Sequence, residues 1–241
     1  MKLRINPIAL LCALVVLAPA VAAASSLDVN ADAAMGNSSS SACGVPGAGC
    51  GLEVIYTQPQ TQAFVQSDHM LIGGGETSVR ISFYADPGHP DPANPANLLD
   101  VAAPGHVRAL VAFESFAVPT PSRMIAFVRR NGAGTSWRLH VWVRQTTGTF
   151  VEAGAGFLVG GSPTTATRID IEWTAGAGNG TVRATRTLDE PGAPTVEIFN
   201  TTTLQTGGQT LGVARFGDQG FGSVGSPTGS LFIDEVVISR L

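Results

Sequence analysis

Two groups of side chains are spaced for chemistry. The first is Arg168-Ile169-Asp170-Ile171-Glu172, in which charged residues alternate with isoleucine. On an extended strand alternate residues share a face, so Asp170 and Glu172 stand together with Arg168 beside them. Two carboxyl groups about 5–5.5 Å apart are what a retaining glycosidase uses as nucleophile and acid/base. The second group is Trp137-Arg138-Leu139-His140-Val141-Trp142-Val143-Arg144. Here alternation places Trp137, Leu139, Val141 and Val143 on one face and Arg138, His140, Trp142 and Arg144 on the other. A flat indole can stack on the apolar side of a sugar ring while neighbouring polar groups bond to hydroxyls. Arg138, His140, Trp142 and Arg144 are therefore the candidate ligand-binding residues.

Other chemistries find less support. His69, His89, His106 and His140 are scattered, and none stands in an H-x-x-x-H or H-E-x-x-H spacing. Gly220-Phe221-Gly222-Ser223-Val224-Gly225 matches a dinucleotide fingerprint as a string. It is followed by Ser226-Pro227-Thr228-Gly229 and a strand pattern, so no helix N-terminus is available to hold a pyrophosphate. No G-x-S-x-G nucleophile elbow occurs. The segment Asp86-Pro87-Gly88-His89-Pro90-Asp91-Pro92, with Asp100, offers the oxygen ligands a calcium ion takes. Its composition also describes a rigid surface loop, which is the preferred reading. Asp218, Asp234 and Glu235 are equally open to either reading. The sequence requires no cofactor, leaves calcium open and assigns no metal ligands. Asn37-Ser38-Ser39, Asn179-Gly180-Thr181 and Asn200-Thr201-Thr202 are glycosylation sequons, relevant only on a eukaryotic secretory route.

The elements that must position these residues are strands. Residues 77–85, 107–113, 124–130, 137–144, 149–159, 167–173, 181–188, 195–202, 210–216 and 230–240 are short runs rich in β-branched and aromatic residues. Asn131-Gly132, Gly178-Asn179-Gly180, Pro191-Gly192 and Gly207-Gly208 punctuate them as turns. The first of these turns predicts a hairpin between 124–130 and 137–144. Ile169, Ile171 and Trp173 are expected to point inward, as are Val182 and Ala184. Arg186 falls on the inward side, so alternation should weaken there. No stretch carries a sustained helical stripe. The prediction is an all-β fold, a two-sheet antiparallel β-sandwich or jelly roll, over residues 52–241.

What precedes it reads differently. Lys2 and Arg4, an apolar run over 8–18, Pro19 and the small residues Ala22-Ala23-Ala24-Ser25 form the layout of a cleavable signal peptide over residues 1–24. The apolar run is short for a bilayer core of about 30 Å, so no transmembrane segment is expected after cleavage. The expected destination is extracellular, periplasmic or the cell envelope. Loss of Lys2 and Arg4 takes the 14 basic residues to 12, all arginine, against 18 acidic ones, a formal charge of −6. An acidic chain without a basic run is a poor partner for nucleic acid. Residues 25–51 are small, polar and Gly/Ser-rich, and read as a flexible lead-in. Within it Cys43 and Cys50 bracket a six-residue loop, and in an exported chain this pair predicts a disulfide.

The closing segment, Gly229-Ser230-Leu231-Phe232-Ile233-Asp234-Glu235-Val236-Val237-Ile238-Ser239-Arg240, resembles the final strand of the concanavalin A-like lectin/glucanase superfamily, the laminin-G-like domains. Arg168-Ile169-Asp170-Ile171-Glu172-Trp173 with 181–187 is similar to a central hairpin of that superfamily. The resemblance implies a jelly roll whose concave face often holds glycans, sometimes with a structural calcium ion. Laminarinase-type hydrolases of this fold carry Glu-x-Asp-x-Glu on one strand, the first Glu being the nucleophile. Arg168 occupies that position here, so Asp170 and Glu172 read as a solvated face paired with arginine. Alginate-type lyases of this shape carry a lysine near their catalytic Tyr and His. The mature chain has no lysine and only Tyr56 and Tyr84. The expectation is a secreted, non-catalytic carbohydrate-binding module facing a polysaccharide or glycan surface. A structural or adhesive envelope protein and an unusual polysaccharide-active enzyme are the alternatives.

Overall fold

The computed structural model describes residues 27–31, 38–43, 50–56, 63–67, 75–86, 105–106, 111–114, 123–130, 137–159, 167–188, 192–218 and 229–241. Every regular element among the described residues is a strand. In chain order these are β1 Leu27–Ala31, β2 Ser38–Cys43, β3 Cys50–Tyr56, β4 Ala63–Ser67, β5 Ser78–Asp86, β6 Gly105–His106, β7 Val111–Glu114 and β8 Met124–Arg130. There follow β9 Trp137–Arg144, β10 Phe150–Glu152, β11 Phe157–Val159, β12 Thr167–Thr174, β13 Ala177–Leu188, β14 Val196–Gln205, β15 Val213–Asp218 and β16 Gly229–Arg240.

They form two antiparallel sheets. The front sheet runs β1-β4-β15-β7-β8-β9-β10, with β6 beside β8 and β11 beside β9. The back sheet runs β14-β13-β12-β5-β16-β3-β2. Hairpin neighbours alternate with strands distant in sequence, as in β12 against β5 and β5 against β16. The expected all-β, two-sheet antiparallel sandwich is therefore the architecture of the chain.

Hydrophobic alternation explains the two-layer solution. Met124, Ala126 and Val128 of β8, the Trp137-Leu139-Val141-Val143 face of β9, and Ala214 and Phe216 of β15 are buried. They share one core with Val79, Ile81, Phe83 and Ala85 of β5, Ile169, Ile171 and Trp173 of β12, and Val182 and Ala184 of β13. The Phe83 and Phe216 rings join the layers edge-on, centroids 6.1 Å apart at 71°. Arg186 is the inward-side exception foreseen from the sequence. Its guanidinium escapes the apolar layer by donating Nη1–H to the Leu158 carbonyl, 3.1 Å away.

The structure departs from the sequence reading in three places. The run 149–159 is two strands rather than one: β10 and β11 both pair with β9, separated at residues 153–156. Gly178-Asn179-Gly180, expected as a turn, lies inside β13; its pairing with β14 shifts register on either side of Gly180, which absorbs the glycines into the ladder. Strands β1 and β2 fall within 25–51, where composition predicts a lead-in without strands. They are held by ladders to β4 and β3, a tertiary pairing that the serine run of β2 in particular does not announce. In the β2–β3 ladder Cys43 stands opposite Cys50. The leader, the Pro-rich segment with His89 and Asp91, Asp100, the Asn131–Gly132 turn and the 220–225 glycine string lie outside the described residues.

The Phe83–Phe216 contact provides a test of the layer packing. Both rings are fully buried. Phe83→Ala should lower the unfolding free energy by about 3–5 kcal/mol, through lost transfer energy and a residual cavity. Urea denaturation followed by tryptophan fluorescence measures it, and a loss below about 1 kcal/mol would mean the two sheets do not share this core.

Candidate functional site

The outer face of the front sheet gathers the second group of sequence-predicted residues. Strand β9 alternates strictly between buried and accessible positions, so Arg138, His140, Trp142 and Arg144 all leave the core on the same side. Strand β8 lies beside it with Ile125 opposite Trp142, Phe127 opposite His140 and Arg129 opposite Arg138. Continuing that register, the Arg144 N–H donates to the Arg123 carbonyl at 2.7 Å, which sets Arg123 opposite Arg144.

At the centre is an aromatic cluster. Phe127 stacks on the His140 ring, centroids 5.4 Å apart and 13° from parallel. The Trp142 ring meets Phe127 edge-on at 5.6 Å and 74°. Phe127 is buried beneath these two although it points away from the sandwich core. Trp142 remains 37 % exposed, its indole braced against Phe127. The sequence reading singled out Trp142 and missed Phe127. The alternation of Met124, Ala126 and Val128 with Ile125, Phe127 and Arg129 was the signal that could have found it.

His140 serves differently from its three companions. Its side chain is only 12 % exposed, and Nδ1 lies 2.6 Å from Glu152 Oε1. The other side of the ring is covered by Gly156, where an added Cβ would sit 2.4 Å from His140 Cε1. Arg138 fastens the same segment by donating Nη1–H to the Gly156 carbonyl at 2.8 Å. The gap between β10 and β11 is therefore a strap over the imidazole. His140 braces the aromatic cluster through Phe127, whereas Arg138 and Trp142 are exposed.

Arg144 lies over the turn from β9 to β10, where Nε–H donates to the Gly148 carbonyl at 3.1 Å. Gly148 adopts φ 93°, a left-handed conformation that favours glycine. That turn holds the guanidinium close to the sheet, and Arg144 is half-buried.

The first group, Arg168, Asp170 and Glu172, is on the opposite surface, the outer face of the back sheet. Asp170 is buried and accepts a bond from Arg80 Nη2 at 3.0 Å and another from Ser82 Oγ. Arg168 Nε lies 3.7 Å from its other oxygen. Glu172 is flanked by Arg80 at 3.8 Å and Arg183 at 3.4 Å. Arg183 also donates to Glu197 at 2.7 Å. The hydrogen bond to Glu197 first, and then that to Glu172, raises the Arg183 guanidinium above its ordinary value. The two carboxylates are thus committed to arginines across three strands.

Among the described residues no three His, Cys, Asp or Glu side chains converge as metal ligands. No helix long and apolar enough to cross a membrane occurs among them either.

Solved structures give the fold a wider context. The chain aligns with the marine PL-14 alginate lyase from Aplysia kurodai at 10 % identity, covering 85 % of this chain and 87 % of that one, with a TM-score of 0.51. The likeness is one of fold, a two-sheet antiparallel jelly roll. The alginate lyase from Klebsiella pneumoniae aligns with this jelly roll at 10 % identity over 80 % of the chain and 81 % of its own, TM-score 0.48. A GH131 β-glucanase catalytic domain from Podospora anserina does so at 13 % identity, 80 % and 72 % coverage, TM-score 0.44. No family model and no curated protein matches the chain.

The strap over His140 makes Gly156 a sensitive position in this jelly roll. Gly156→Ala drives a methyl into the imidazole and should cost about 1–3 kcal/mol, as overpacking does. Shifted imidazole and indole NMR signals should accompany the loss. Unchanged His140 and Trp142 spectra with unchanged stability would mean the segment does not press on the ring.

Proposed function

We propose that the chain is an exported, non-catalytic module that binds acidic polysaccharide on the outer face of the front sheet. One observation carries this reading. Around the exposed Trp142 stand two cross-strand arginine pairs, Arg129 opposite Arg138 and Arg123 opposite Arg144. Among the described residues none of these four guanidiniums has a carboxylate within ion-pair distance. On the back sheet Arg80, Arg168 and Arg183 all do. Like charges set directly opposite each other on a sheet are destabilising. A polymer carrying carboxylate or sulfate groups supplies the missing counter-charge, and Trp142 supplies a stacking surface for a sugar ring between the pairs. From one arginine pair to the other is six residues, about 20 Å of strand, which accommodates a chain of several sugars.

The non-catalytic part of the reading is supported by where Asp170, Glu172 and the tyrosines stand. Asp170 and Glu172 are tied to arginines on the other surface. Both tyrosines, Tyr56 and Tyr84, belong to strands of the back sheet, β3 and β5. Pull-down on alginate, polygalacturonate and neutral cellulose tests the assignment. Retention is expected on the two acidic polymers and not on cellulose, and should weaken as salt screens the arginines. Trp142→Ala should reduce affinity about twofold to twelvefold, matching about 0.5–1.5 kcal/mol for an aromatic contact. A folded protein retained on neither acidic polymer returns the weight to a structural or adhesive role. Depolymerisation of either polymer, abolished by Glu172→Gln, would make it an enzyme.

The leader and the cysteines belong to the same proposal. Cleavage near Ala24 would release the chain outside the cytoplasm, where Cys43 and Cys50, opposite each other in the β2–β3 ladder, close as a disulfide. The secreted protein should begin near Ser25, and thiol reagents should label Cys43 and Cys50 only after reduction. Labelling of both before reduction would remove the disulfide; an intact leader would remove the export route.

A further inference from the structure

Within the proposed polysaccharide surface, the two arginine pairs are not equivalent. Arg129 and Arg138 are both exposed, and Arg138 Nη1 is already engaged with the Gly156 carbonyl. Arg123 and Arg144 are half-buried, and among the described residues one buried N–H of each, Nε of Arg123 and Nη1 of Arg144, finds no acceptor. A buried donor on a charged group without an acceptor is costly, and like charges at directly opposite sheet positions are destabilising as well. A bound anion would supply counter-charge to both half-buried guanidiniums.

The surroundings favour a particular anion. Arg144 is held by its Nε–H on the Gly148 carbonyl, its backbone N–H on the Arg123 carbonyl and its own carbonyl, which accepts from Gln209 Nε2. Its guanidinium is therefore held in a set position, and guanidinium forks match the planar geometry of a carboxylate. Trp142 stands two residues before Arg144 on the same face, about 7 Å along the strand. That separation is suited to a sugar ring on the indole with its own or its neighbour's carboxylate at the arginines.

We infer that Arg123 and Arg144 form a carboxylate clamp, and that the ligand of the front face is a uronate-containing polysaccharide read by this clamp together with Trp142. The inference rests on the reading of that face as a polysaccharide surface. The clamp sets specificity: it distinguishes a carboxylated sugar from the same sugar reduced to an alcohol, because the alcohol leaves both guanidiniums without a counter-charge.

Affinity electrophoresis in gels containing alginate, carboxyl-reduced alginate or dextran sulfate tests this with the full mature chain. The wild type should be retarded strongly by alginate and not by carboxyl-reduced alginate, with dextran sulfate weaker than alginate. Arg123→Gln and Arg144→Gln should each weaken alginate binding about tenfold or more, and the double variant little further, since each removes the same clamp. Arg129→Gln should lower affinity less. Neither Gln variant should lower the urea midpoint, because each removes a buried unpaired donor and a like-charge repulsion. If a Gln variant fails to fold, Arg123→Lys and Arg144→Lys decide the matter. They keep the charge but lose the fork, and alginate binding equal to wild type in either would overturn the clamp. Wild-type affinity in both Gln variants, with Trp142→Ala still impaired, overturns the clamp and leaves the polysaccharide surface standing. Equal retardation by alginate and dextran sulfate overturns the carboxylate preference. No retardation of the folded wild type in any gel overturns the surface and the clamp together.

Discussion

The sandwich depends on a single constraint: each sheet has one face that must be hidden, and only the other sheet can hide it. Strand β9 shows how far this reaches. Burying Trp137, Leu139, Val141 and Val143 commits four alternate positions to the core, and the pleat then forces Arg138, His140, Trp142 and Arg144 outward. A slip of one residue in the β8–β9 register would exchange the two sets, placing two arginines in an apolar layer, which no hydrogen bond available there would offset. The apolar face therefore fixes the polar one. The front surface is as well determined as the core, although it contributes little to the core's stability.

The same constraint operates on the back sheet with a different outcome. Burial of Ile169, Ile171 and Trp173 sends Arg168, Asp170 and Glu172 outward, and neighbouring strands bring Arg80 and Arg183 to them. Opposite charges alternate across the ladder Arg80, Glu172 and Arg183, so that surface is neutralised internally. On the front hairpin the cross-strand partners are arginine with arginine. The two surfaces are built from the same residue types by the same alternation, and differ only in which strand supplies the partner. A chain with an acidic total charge thus presents a locally basic surface, which the net charge alone would have argued against.

Much of this was legible in the sequence where alternation was long and uninterrupted. The eight residues of β9 and the seven from Thr167 to Trp173 disclose their faces without knowledge of any partner. What was not legible arose from contacts between distant segments. The break at residues 153–156 is invisible in a run of small and apolar residues, because its cause is the His140 ring beneath Gly156. Arg123 was overlooked because it precedes its strand, after residues that show no period. Only its opposition to Arg144 gives it meaning. Phe127 was passed over because an aromatic in a strand is ordinarily core, and here it is buried by a second, outward cluster.

That outward cluster bears on why a surface would keep His140 at all. An imidazole held by Glu152, pressed by Gly156 and stacked on Phe127 has little freedom to meet a ligand. It does fix Phe127, and Phe127 in turn fixes the edge of Trp142. A stacking platform is effective when its ring is already immobile, since the entropy of ordering is then not charged to binding. The sequence of supports from Gly156 through His140 and Phe127 to Trp142 gives the exposed indole such rigidity. The strap between β10 and β11, which interrupts an otherwise continuous strand, is in this account the element that keeps the platform in place.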